Sequence, residues 1–307
     1  MSAPALPMPL PGEATPPAGA APLLARPAAL PIGALLMEMG RLTAEDAQRI
    51  LQHQAQTGQL YGEAGIELGL LRIDDVRAAL AIQFGQLRLP RDAALAWELV
   101  AAWHPDSEAV ERLRSLRSEL MLRWFENDAR HAALAIVSPG GGEGRTWITA
   151  NLGTLFAQLG LRTLVVDADL RRPRLHRIFG RPGRIGLSAI LAGRAGPPES
   201  IVAIEAIPDL FLLPAGITPP NPQELLARDP LQRLLSSLRP SYDVVLVDTP
   251  PFGSCADAGT IAARAGAALV VACRDASAMP GLAALTHALR EFGVTLVGAV
   301  LNAQRRP

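Results

Sequence analysis

The sequence predicts an α/β domain with a mostly parallel sheet, preceded by a small all-helical repeat unit and a Pro/Ala-rich N-terminal extension. Three observations carry this expectation. From Ala133 onward, unbroken runs of Val, Leu, Ile and Ala alternate with amphipathic segments, as strands covered on both faces alternate with helices. Two of the runs end in acids: LVVDADLR (Leu164 to Arg171) and VVLVDTPP (Val244 to Pro251). Ahead of them, LAIVSPGGGEGRTWITAN (Leu134 to Asn151) reads as strand, glycine loop and helix.

Taken in order, the chain begins with residues 1–28, rich in Pro and Ala with isolated charges at Glu13 and Arg26. Such a tract has too little to bury and is expected to be disordered or polyproline-like. Residues 29–88 hold an internal repeat. Pro31 to Gln54 superposes on Leu60 to Gln83, with Gly33 on Gly62, Gly40 on Gly69 and Leu51 on Leu80. Each half reads as a short helix, a glycine C-cap and a second helix, started by Thr43 or by Ile73-Asp74. A connector follows at 89–106, marked by Pro90, Trp97 and Trp103. A helix is then expected over 107–125, with Val110, Leu113, Leu120, Met121 and Trp124 on its apolar side and Glu111, Arg114 and Arg117 spaced at i+3. Strands are expected near 133–138, 162–167, 210–214, 243–248, 267–273 and 295–301. Helices fall near 145–159, 222–237, 257–264 and 279–291, so one domain spans 107–307.

The chemistry is concentrated at strand ends. A glycine loop followed by a helix N-terminus turns backbone N–H groups and a positive dipole end toward an anion. The usual phosphate-binding loop reads GxxxxGK and then Ser or Thr; here Pro139 takes the first glycine position and Arg145 the lysine position. A glycine-rich turn ahead of a core helix would explain the loop alone. The acids that follow make phosphate the better reading. Asp167 and Asp169, at i and i+2, point to the same side just past a strand's carboxyl end, and such a pair repels unless a cation shares it. Mg²⁺ takes oxygen ligands and joins carboxylates to phosphates. In the reading that results, Gly141, Gly142, Glu143, Gly144, Arg145, Thr146 and Trp147 form the nucleotide loop. Thr146 and Asp248 hold Mg²⁺ directly or through water, and Asp167 or Asp169 orients or deprotonates the nucleophile, with Arg145 counted among the catalytic groups. Asn302, which ends the last strand, reads as a turn former or, as the likeness to ATPases with an adenine-contacting Asn at this point implies, a base contact.

These motifs together resemble the bacterial tyrosine kinases of capsule and exopolysaccharide export, whose fold is similar to that of the ParA/MinD ATPases. Glu111-x-x-Arg114-x-x-Arg117 resembles the family's ExxRxxR helix, and LLPAGITPPNPQELL (Leu212 to Leu226) its stretch between middle strands. The GEGR loop is similar to that of EpsG-type chain-length-determinant kinases. The resemblance covers roughly 107–307 and implies ATP and Mg²⁺ as cofactors, Asp167 as the more catalytic acid and Asp169 as metal-linked. It further implies homo-oligomer contacts through Glu111, Arg114 and Arg117, and a membrane-anchored chain-length or co-polymerase partner. The repeat at 29–88 resembles the tandem-motif (MshEN-like) domain of type II secretion and pilus ATPases, some of which bind cyclic di-GMP. That motif opens with RLG; Pro31 and Leu60 stand at its arginine positions, so binding of a cyclic dinucleotide is expected to be weakened. A regulatory or interaction module is the alternative.

Composition sets bounds. Acids and bases balance at 29 each and every base that is Lys or Arg is Arg, which gives no basic block for nucleic acid. Cys255 and Cys273 make neither a disulfide framework nor a metal set. No apolar run has the length of a membrane span, so a cytoplasmic protein is expected, recruited to the inner membrane by its partner. The family's kinases carry a tyrosine-rich tail, whereas this sequence has only Tyr61 and Tyr242. Two alternatives to a kinase therefore stand: an ATPase switch, or a non-catalytic nucleotide-responsive scaffold or sensor. A positioning ATPase of the ParA/MinD type fits less well, because its signature lysine falls at Gly140.

Overall fold

The computed structural model describes residues 31–83, 93–127 and 133–303. The extension at 1–28 and Pro90 lie outside the described residues. Four helices form the repeat: α1 (Ile32–Glu38), α2 (Ala44–Thr57), α3 (Tyr61–Glu67) and α4 (Ile73–Gln83). Thr43 caps α2 in a reciprocal box with Asp46, which satisfies N–H groups that a helix start otherwise leaves open. In the second half Asp75 takes the equivalent backbone N–H, that of Arg72. Gly40 and Gly69 end the first helix of each half at φ +64° and +67°, a region that costs a residue with Cβ about 1 kcal/mol or more. Leu35, Leu36, Leu42, Ile50, Ala64, Leu71 and Ala79 form a small core of their own.

The connector becomes part of the larger domain. It contributes α5 (Val100–Trp103), whose Ala101 and Ala102 are buried. Asn151 and Gln158 explain the docking: Ala101 N–H donates to Asn151 Oδ1 at 2.9 Å, and the two side-chain amides donate to the carbonyls of Glu98 and Ala101. Next comes α6 (Glu108–Leu120), which widens into a π-helical turn over Met121–Phe125. That turn seats Trp124 Nε1 on the Ala133 carbonyl and sets Phe125 edge-on to Phe156.

The sheet-forming region continues with β1 (Ala133–Val137), α7 (Arg145–Gln158), β2 (Thr163–Asp167), α8 (Leu175–Ile178), α9 (Leu187–Leu191), α10 (Pro197–Ser200), β3 (Val202–Ala203) and β4 (Leu210–Leu213). It ends with α11 (Pro222–Ala227), α12 (Asp229–Leu238), β5 (Val244–Asp248), α13 (Asp257–Ala265), β6 (Ala267–Cys273), α14 (Met279–Glu291) and β7 (Thr295–Asn302). The strand order is β3-β4-β2-β5-β1-β6-β7, parallel throughout except for the antiparallel pair β3–β4.

Alternation within the strands builds two layers. Ala133, Ala135 and Val137 enter one apolar cluster with Val245 and Val247, while Leu134 and Ile136 enter the opposite one with Val244 and Leu246. Successive side chains of a strand point to opposite faces, and here both faces are covered. The single helix expected over 222–237 is two. Arg228 is extended at ψ 161°, and Pro230, in the first turn of α12, lacks the N–H that would continue the ladder from α11. The two-residue β3 lacked the length to show as a strand in the sequence. Among the described residues no helix is long and apolar enough to cross a membrane.

Candidate nucleotide and phosphoryl-transfer site

The carboxyl ends of β1, β2 and β5 lie side by side, and the loop after β1 crosses above them. Gly142 and Gly144 take φ +76° and +101°. At Gly144 a methyl group would also strike the side-chain amide of Asn302, so glycine is required there twice over. The loop is braced from within. Buried Glu143 accepts from Gly140 N–H at 2.7 Å and from the Ser277 hydroxyl, and its carbonyl accepts from Asn302 Nδ2 at 3.1 Å. Ser277 is itself held by Cys273 N–H at 2.8 Å. Pro139 causes no gap, because its carbonyl and that of Ser138 accept from Gly253 and Phe252 N–H.

Arg145 is only 7% exposed. Its Nε donates to the Thr249 carbonyl at 2.9 Å, and its Nη1 to the Gly140 carbonyl at 2.7 Å and to Ser138 Oγ. The guanidinium thus ties the loop's start, its end and the turn after β5 together, a task that suits a planar fork of donors. Trp147 packs on the apolar cluster beneath α6, leaving its backbone as the part it can offer to the loop. Thr146 Oγ1 donates to Asp248 Oδ2 at 2.7 Å.

Asp248 and Asp167 are register partners on neighbouring strands. Both are buried to within 1% of full exclusion. Burial raises Asp248 to about 6, with Arg145 and the Thr146 hydrogen bond pulling the other way. Asp167 is pushed well above the usual carboxylate range, first by burial and then by the Asp248 charge. Its Oδ2 accepts from Arg174 and Leu175 N–H, each at 3.0 Å, whereas its Oδ1 is buried with no partner. Asp169 Oδ1 is fixed by the N–H groups of Arg171 and Arg172 at 3.2 and 2.9 Å. Arg171 then reaches across to buried Asp257 at 2.8 Å.

The Asp248 carboxylate with the Thr146 hydroxyl on it, and the Asp169 carboxylate close enough to act on its charge, form an oxygen donor set that fits a hard cation. Among the described residues no group of three or more His, Cys, Asp and Glu forms a metal site by itself.

The structure therefore brings Glu143, Arg145, Thr146, Asp167, Asp169, Asp248 and Asn302 into one neighbourhood. It does not bring Glu111, Arg114 and Arg117 there. On α6, Glu111 pairs with Arg114 at 3.1 Å, and Arg117 Nη1 caps the Leu155 carbonyl of α7 at 3.0 Å. Sequence reasoning missed Ser277, Ser138 and the backbone donors of Arg174 and Leu175. Their only signal was position after a strand or beside a proline.

Residues 134–307 match the CobQ/CobB/MinD/ParA nucleotide binding domain. CapB of Staphylococcus aureus is 32% identical over 198 residues, which make up 64% of this chain and 86% of CapB. The chain belongs to the bacterial tyrosine-kinase branch of that family. EpsB of Ralstonia solanacearum is 37% identical over 205 residues, 67% of this chain but 27% of EpsB. The tyrosine-protein kinase Wzc of Salmonella typhimurium is 33% identical, again over 28% of its length. The chain thus spans about a quarter of these longer relatives. Among solved structures, the chimerical protein CapA2B2 superposes with a TM-score of 0.63 at 31% identity, over 75% of this chain and 99% of that one. The kinase domain of the Escherichia coli tyrosine kinase ETK gives 0.64 at 31%, over 68% and 83%. The fold of this family domain, with its nucleotide-binding loop, is the one described above.

Proposed function

We infer that this kinase-family domain binds ATP with Mg²⁺ and transfers the γ-phosphoryl group to a protein tyrosine, in the control of exopolysaccharide or capsule chain length and export. The observation that carries this reading is the pairing of Thr146 with Asp248 beside the unpartnered Oδ1 of Asp167. Loop amides from Gly141 to Thr146 would receive the phosphates. Mg²⁺, when bound, neutralises charge on them, and Thr146, Asp248 and Asp169 would hold it. Asp167 would accept the proton of the tyrosine hydroxyl at its Oδ1 or orient that hydroxyl for attack. Asn302, whose side-chain amide lies on the loop at the Glu143 carbonyl, would contact the base. Little more than positioning and charge neutralisation is required of such a site.

The same reading places the chain in the cytoplasm beside a membrane-anchored chain-length protein, with like subunits meeting through the 107–125 helix. The repeat at 31–83 serves as a regulatory module, with cyclic-dinucleotide binding weakened by Pro31 and Leu60. A second reading, an ATPase switch, is favoured by one observation: the Arg145 guanidinium is held by Ser138, Gly140 and Thr249 rather than extended from the loop. Full-length chain with Mg²⁺, γ-labelled ATP and a tyrosine polymer decides between them. Label on tyrosine, lost in Asp167→Asn, supports the kinase. Free phosphate without protein label supports the switch, and nucleotide binding with neither product supports a scaffold.

A further inference from the structure

The segment after β2 is unusual in charge. From Arg171 to Arg184 it carries six arginines and no acid, in a chain whose acids and bases balance. Arg171 pairs with Asp257, Arg174 with Glu98 and Arg181 with Glu205. Arg172, Arg177 and Arg184 are exposed and form no ion pair among the described residues. Arg174 and Arg177 face the 96–98 stretch across an open groove of about 470 Å³, lined by Ala96, Trp97, Glu98, Arg174, Arg177 and Ile178.

This groove has a fixed frame. Ala96 N–H donates to the Ile178 carbonyl at 2.9 Å, Trp103 Nε1 donates to the Ala96 carbonyl at 3.0 Å, and Arg174 Nη2 bonds Glu98 at 3.0 Å. The acid in its lining is thereby matched, while Arg177 keeps its charge outward. Trp97 stands on the rim, 78% exposed. An aromatic ring beside an unmatched guanidinium is the pairing on which protein interfaces concentrate their energy, and guanidinium binds carboxylates in a two-point geometry. Position adds to chemistry: the backbone N–H groups of Arg174, in the groove's own wall, and of its neighbour Leu175 hold Asp167.

We propose that this groove is a docking site for an acidic segment of the protein substrate, next to its acceptor tyrosine. The proposal rests on the kinase reading and names the class of acceptor: a tyrosine flanked by Asp or Glu. Arg177 takes a flanking carboxylate, Trp97 packs on the segment, and the acceptor ring is delivered toward Asp167.

The test uses the full chain and two labelled peptides with a single tyrosine, one flanked by Glu and the other by Gln. Without nucleotide, fluorescence anisotropy should show the Glu peptide bound about tenfold more tightly, a difference of roughly 1.4 kcal/mol, and weakening with salt. Arg177→Gln and Trp97→Ala, checked for unchanged thermal unfolding, should each erase most of that preference. In transfer assays Arg177→Gln should raise KM for the Glu peptide about tenfold and leave KM for the Gln peptide where it was. Equal binding of the two peptides would overturn the proposal, as would a preference that survives both substitutions. Binding of anionic lipid vesicles through Arg177 with no binding of either peptide would also overturn it. If neither peptide is phosphorylated yet the Glu peptide binds through Arg177, the kinase reading fails while the docking site stands.

Discussion

The ends of β2 and β5 carry the same residue at paired positions, and their carboxylates lead different lives. Asp248 is answered from the glycine loop, by the Thr146 hydroxyl at 2.7 Å and the charge of Arg145. Asp167 is answered on one oxygen only, by backbone N–H groups of the turn that follows its own strand, and its other oxygen has no partner. Burial is common to both. What differs is which loop reaches them, and that difference separates a carboxylate arranged with a hydroxyl for metal from one left open toward a reacting group.

Substitutions can break this contrast. Asp167→Asn should have the largest effect, lowering phosphoryl transfer by about 10²–10⁴-fold, the range for loss of a positioned acid–base group. The fold should survive, and thermal unfolding should shift upward because a repelling buried charge is gone. Thr146→Val, which removes the hydroxyl facing Asp248, should weaken Mg²⁺-nucleotide binding about tenfold in calorimetry, consistent with ~1.5 kcal/mol for a hydrogen bond to a charged group. Arg145→Lys tests whether the arginine is a brace. An ammonium cannot reach the Thr249, Gly140 and Ser138 acceptors together, so denaturant unfolding should report a loss of about 1 kcal/mol.

The smallest effect is one of pH. Asp248 has a folded pKa of about 6 against 3.8, so the folded, metal-free protein holds its proton more tightly than the unfolded chain. The stabilisation is present below about 3.8 and lost as pH rises through about 6. Unfolding followed between those values should show stability falling with pH, and Asp248→Asn should flatten part of that slope.

Much of the frame was readable from residue order. Runs such as Leu164 to Asp167 and Val244 to Asp248 could only be covered strands, and the acids closing them placed the site at the sheet's carboxyl edge. The repeat's paired glycines, Gly40 and Gly69, mark helix ends in the sequence itself. The contacts that finish the site were not readable. Glu143 meets Ser277 across 134 positions of sequence, and nothing local says that an acid in a glycine loop turns inward. The inward set of Arg145 depends on where carbonyls of three separate segments converge. Asp167's partners are the backbone N–H groups of Arg174 and Leu175, in a turn that no sequence motif marks. Local pattern specifies which residues reach the strand ends; tertiary convergence decides what each then touches.

The most direct test of the division between the two acids is a Mg²⁺ titration of ATP turnover in Asp167→Asn and Asp248→Asn, measured side by side. The account predicts that excess Mg²⁺ restores much of the activity of Asp248→Asn, whose half-saturating concentration rises at least ~10-fold, about 1.4 kcal/mol, while Asp167→Asn stays inactive at every concentration. Restoration of Asp167→Asn by Mg²⁺, with Asp248→Asn unresponsive, would contradict it.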